Sequence, residues 1–136
     1  MELKQYILLL INEESNELAK ESDKAIRFGL SEHHPEDPQQ VSNNIRINNK
    51  FIDLVATLLV ANVIGIQLDS INYLTTLLNT EYKEQINIKI NKIIKFMKMS
   101  VCEHQLNMTL LEVSQLHTKI NEYLQLLSPT KVNSLK

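Results

Sequence analysis

Positions 7, 11, 14, 18, 21, 25 and 28 recur every three or four residues, the spacing of one face of an α-helix, and two of these seven residues are glutamates. Ile7, Ile11, Leu18, Ala25 and Phe28 make the face apolar, while Glu14 and Glu21 sit on it among them. Burying an ionised carboxylate is strongly unfavourable unless it is paired or coordinates a metal. The stripe therefore demands a compensating cation, either a Lys or Arg from another helix or Mg²⁺. Three acids close together, Glu13, Glu14 and Glu17, with a further acid at Asp53, point to the metal.

Composition narrows the fold. With only two Gly, three Pro and no Trp in 136 residues, the chain lacks the turn residues of an all-β or loop-rich protein. The length suits one domain with a real core, and the long Leu/Ile/Lys/Glu/Asn segments predict an all-α bundle. A formal net charge of −2 provides no basic field for nucleic acid. The lone Cys102 excludes an internal disulfide framework and a cysteine zinc site, and is expected as a small core hydrophobe. The start, MELKQYILLL, has no basic n-region and no small-residue cleavage site. The most apolar window, residues 54–66, is shorter than the roughly 20 residues that cross a bilayer. A cytoplasmic protein with no membrane partner is expected.

The first helix is predicted over residues 3–28, stopped by Gly29. Pro35 and Pro38 keep the following segment, SEHHPEDPQQVSNN, in a loop. A second helix is predicted from about residue 44 to 64, carrying the apolar run FIDLVATLLVANVIG and ending at Gly65. Asp69 or Ser70 can cap a third helix over INYLTTLLN. A basic fourth helix is predicted from about residue 80 to 104, with Ile86, Ile90, Ile93, Ile94, Met97 and Val101 inward. Residues 87–91 alternate like a strand, but the surrounding helical period overrules them. Thr109 and Glu112 form a capping box for a last helix over residues 110–127, ended by Ser128-Pro129, and a polar tail follows. The second helix is apolar around most of its circumference, which predicts burial on more than one side and an oligomer.

Four segments carry a family resemblance. EESNE supplies an EExxE motif at Glu13, Glu14 and Glu17; KAIRFGL follows it at residues 24–30, ahead of a Pro-containing loop. KFIDLVATLLVANVIG and INKIIKFMKMS come after, with a Lys…Phe-Met…Ser pattern in the last. Together they resemble the MazG-like branch of the all-α nucleotide pyrophosphohydrolases, in particular its small phage-type members. The resemblance covers residues 1–106, and residues 107–136 read as an added helix and tail. It implies a MazG-like bundle of four to five helices, assembled as a homo-oligomer (dimer or tetramer). It also implies Mg²⁺-dependent hydrolysis of a nucleoside triphosphate to monophosphate and pyrophosphate, with Mn²⁺ as an alternative ion. Carried over by position, Glu13, Glu14, Glu17 and Asp53 would hold the metal, and Glu14 and Glu17 would be catalytic. Lys24, Arg27 and Lys50 would bind the substrate.

One departure stands out. The family's second motif is ExxD, and here Lys50 occupies the place of its Glu in Lys50-Phe51-Ile52-Asp53, with Ile52 where phage-type members often carry Asn. Lys50 leaves three outcomes open: an impaired metal site, a lysine paired with Glu14 or Glu17 in place of the metal, or a direct contact with substrate phosphate. The alternative function is accordingly a catalytically inactive MazG-like protein that binds a nucleotide or a protein partner. Lys24 and Arg27 are also placed for ordinary pairing with Glu21 and Asp23. His33 and His34 fall in the Pro-containing loop, and His104 and His117 are isolated on predicted helices, none at metal-binding spacing. Tyr6, Tyr73, Tyr82 and Tyr123 are expected as packing residues.

Overall fold

A computed structural model describes residues 1–33, 35–68 and 81–126. These form four helices: α1 (Leu3–Phe28), α2 (Asn43–Val63), α3 (Lys83–Cys102) and α4 (Leu110–Leu126), with no strand among the described residues. The expected helix over INYLTTLLN, its caps at Asp69 and Ser70, Tyr73, His34 and the tail after Pro129 lie outside the described residues.

Helix ends fall where local chemistry puts them. Glu2 and Gln5 form a capping box at the start of α1, and Ser42 Oγ accepts the backbone N–H of Ile45 at the start of α2. Gly29 (φ 95°) ends α1 in a conformation that a side chain would strain, its N–H donating to Ala25 O at 2.8 Å. Thr109 and Glu112 exchange the two reciprocal bonds of the expected capping box, each at 3.1 Å. Residues 87–91 are helical, as the longer period requires.

α1 and α2 are antiparallel. Asn43 ties their junction, its N–H donating to Glu32 O at 2.7 Å and its side-chain amide to Gly29 O at 2.9 Å. α2 is the central helix and packs against α1, α3 and α4. Its Ile52, Val55, Ala56, Leu59, Val60 and Ala61 are buried. The chain's own helices cover much of the apolar circumference of α2, while Phe51 stays exposed and Leu54 and Leu58 are partly buried. α3 buries Ile86, Ile90, Ile93, Ile94 and Met97, with Val101 partly buried, on the inner face expected for it. α4 adds Val113, Leu116, Ile120 and Leu124 to the same core, so the last helix is part of one packed unit with the rest.

Two expectations are corrected. Cys102 is exposed, because it is the last residue of α3 and falls on the outer side of the helix. His104 lies beyond the helix end in the left-handed region (φ 61°), in a turn that brings Leu106 N–H back to Ser100 O. Among the described residues no helix is long and apolar enough to cross a membrane.

The loop between α1 and α2 is anchored by Asp37. Its carboxylate accepts Arg46 Nη2 at 2.5 Å and the backbone N–H groups of Gln39 and Val41 at 3.0 and 2.9 Å. The Arg46 bond, with help from the two N–H groups, holds the Asp37 pKa at about 2 against an ordinary 3.8. A depressed pKa gives stability that is complete above the ordinary value and is lost as pH falls through the folded one. Asp37→Asn should therefore melt below the wild type at pH 6, with the gap closing between pH 4 and pH 2. A gap that stays constant over that range would show that the ionised carboxylate is not the source.

Candidate functional site: an acidic pair closed by lysines

The stripe on α1 brings both of its glutamates toward the interior. Glu21 is buried, and one oxygen accepts Lys24 Nζ at 3.3 Å. Glu14, seven residues earlier on the same face, forms an ion pair with Lys89 of α3, the side chains being 14% and 17% exposed. Of the two cations the stripe could call on, the structure supplies the lysine from another helix.

Asp53 of α2 faces the same spot. Burial pushes its pKa above the ordinary 3.8; Glu14 adds to the rise, while Lys89, Lys50 and Lys92 pull against it. Each of these groups is therefore within electrostatic reach of Asp53. Lys50, one turn before Asp53 on α2, stands 3.9 Å from Asp53 Oδ2. Thr57 Oγ1, fully buried, donates to the Asp53 carbonyl at 2.9 Å and so satisfies itself within the helix. The cluster holds two carboxylates, Glu14 and Asp53, against three ammonium groups, Lys50, Lys89 and Lys92. Glu14 Oε2 is buried and has no hydrogen-bond partner.

The other expected site residues are dispersed. Glu13 is exposed on α1, and Glu17 pairs with Lys20 at 3.3 Å on the surface. Lys24 is occupied by Glu21, as its local spacing allowed. Arg27 is exposed, its guanidinium 5.6 Å above the Phe28 ring. Lys50 pairs with Asp53 rather than with Glu14 or Glu17. Among the described residues no group of three or more His, Cys, Asp or Glu is arranged to hold a metal ion.

Lys89 and Lys92 are the site residues that the sequence did not single out. A signal for Lys89 exists: it stands three residues after Ile86 and four before Ile93, and so shares the edge of the buried face. Which acid it meets is set by the packing of α3 beside α1, to which no local pattern points. A separate cavity of about 300 Å³ lies between α2 and α4, lined by Asn62, Val63, Lys119, Glu122, Tyr123 and Leu126, and shares no residue with this site.

No protein-family model matches the sequence, and no curated protein or solved structure is significantly similar to it.

Removing one partner of a largely buried ion pair leaves the other charge uncompensated, whereas replacing both can be nearly neutral. Glu14→Gln and Lys89→Met should each destabilise the fold by about 2 kcal/mol or more. The double variant should lose clearly less than their sum in denaturant unfolding. Additive losses would mean that the two side chains do not act as a unit.

Proposed function

We propose that this chain is a MazG-like helical protein that binds a nucleotide at its lysine-closed acidic site without hydrolysing it. The observation that carries this reading is the Glu14–Lys89 ion pair, which puts an ammonium group against the carboxylate that the family resemblance assigns to a metal. The resemblance at EESNE, KAIRFGL and INKIIKFMKMS supplies the nucleotide as ligand class. The excess of one positive charge around Glu14 and Asp53 suits an anion such as a phosphate chain better than a divalent cation. Lys50 and Lys92, both at the edge of the cluster, are the groups placed to meet phosphate. The same reading carries over a dimeric or tetrameric assembly and a cytoplasmic location.

The described residues do not fit a resident Mg²⁺. Oxygen ligands from two facing helices suit that ion, but Glu13 and Glu17 point elsewhere, and the two remaining carboxylates, Glu14 and Asp53, are paired with Lys89 and Lys50. One observation favours a second reading, a Mg²⁺- or Mn²⁺-dependent pyrophosphohydrolase of reduced activity. Glu14 Oε2 is buried without a hydrogen-bond partner, and Glu14 is within electrostatic reach of Asp53, so an unpaired carboxylate oxygen is available if Lys89 moves aside.

Product analysis separates the two. Wild-type protein incubated with nucleoside triphosphates and Mg²⁺ or Mn²⁺ should release no monophosphate and pyrophosphate above background. The same nucleotides, with metal chelated, should raise the melting temperature; ligand at a hundred times its Kd adds about 2.7 kcal/mol of stability. Turnover by the wild type, abolished in Asp53→Asn, would overturn the binding reading in favour of the hydrolase.

A further inference from the structure

Lys89, Lys92 and Phe96 stand at i, i+3 and i+7 on α3, a single stripe along the helix. Its first member closes the acidic site on Glu14. Its second acts on Asp53, is exposed, and has no ion-pair or hydrogen-bond partner among the described residues. Its third is an aromatic ring that is 54% exposed, although the core takes up Ile93, Ile94 and Met97 on either side of it in sequence. Phe96 could have contributed more to stability by facing inward, and the helical register places it outward beside the lysines.

Resting on the proposed nucleotide reading, we infer that Phe96 is the platform on which the base of a bound nucleoside phosphate stacks, with Lys92 and Lys50 holding its phosphates. Aromatic side chains accept any nucleobase by its π-face, and an anchored phosphate beside a ring is the arrangement that makes such stacking selective for nucleotides over bare polyphosphate. Lys92 and Phe96 are about one helical turn apart, about 6 Å along the axis, a separation that the sugar of a nucleotide bridges. The charge complements the ligand: Lys50 and Lys92 border the cluster, Lys50 held only by its 3.9 Å pair with Asp53 and neither lysine paired with the buried Glu14. Because a ring face does not read hydrogen-bond edges, the site discriminates little between bases and strongly between nucleotides and inorganic triphosphate.

The test is isothermal titration of the full chain with a nucleoside triphosphate and with inorganic triphosphate, metal chelated throughout. Wild-type protein should bind the nucleotide at least about fivefold, and up to about 150-fold, more tightly than inorganic triphosphate, the range for one stacked base. Phe96→Ala should erase that preference while leaving the inorganic affinity unchanged, Phe96→Tyr should keep it, and Lys92→Ala should weaken both ligands. Circular dichroism melting should be the same for wild type and Phe96→Ala, since the ring is mostly outside the core. A preference that survives Phe96→Ala would overturn the stacking role and leave the nucleotide reading intact. Failure of the wild type to bind either ligand would overturn that reading, and the stacking role with it. A change of sedimentation coefficient in Phe96→Ala would assign the ring to a contact between copies and overturn the inference.

Discussion

The Glu14–Lys89 pair joins two helices that otherwise meet little. α1 packs chiefly on α2, and α2 on α3; α1 and α3 are tied directly by this pair and by the 3.0 Å hydrogen bond between Tyr6 Oη and Ser100 Oγ. The two ties are eight residues apart on α1, about 12 Å, and eleven apart on α3, about 16 Å. They are equal in neither length nor chemistry, so they fix both the antiparallel direction of the two helices and their register. The long lysine stem spans what the shorter α1 interval leaves open. A buried pair of this kind contributes little net stability compared with apolar packing; its effect is to make one arrangement of the helices much better than its neighbours.

α2 makes that arrangement possible. Its buried residues cover most of its circumference, and Lys50 and Asp53 lie half-buried on the same side of the helix as the buried Thr57, at the boundary with water. Asp53 is held there at the boundary, desolvated enough to raise its pKa and close enough to Lys89 and Lys50 to be drawn back. Had α2 carried a polar face, Asp53 would sit in solvent and be indifferent to Glu14. The site is thus a consequence of how α2 is enclosed, and the central helix that builds the core also sets the electrostatics.

What was legible in the sequence follows the range of the interactions involved. Gly29, the Thr109–Glu112 capping box and the six inward residues of α3 are local or periodic features, and each appears where its spacing put it. The inward placement of Glu14 and Glu21 was legible for the same reason, since a stripe at positions 7 to 28 assigns every member to one face. The identity of the compensating cation was not legible, because Lys89 is 75 residues from Glu14 and only packing brings them together. Cys102 was misplaced by a residue-type preference that the end of a helix overrides.

Lys50 decides the sign of the cluster. With lysine there, two carboxylates face three ammonium groups, a balance that would favour an anion. A glutamate at the same position would leave three carboxylates against two ammonium groups, and the field would draw a cation. The change is two unit charges within one turn of Asp53, and at about 4 Å each such interaction is on the order of 4 kcal/mol at an effective dielectric near 20. A tethered ammonium differs from a bound ion in a second way. It brings one charge where Mg²⁺ brings two, and it does not supply the acidified water that hydrolysis requires. The proposed reading, phosphate held by lysines and left intact, follows from that difference between a tethered ammonium and a bound divalent ion.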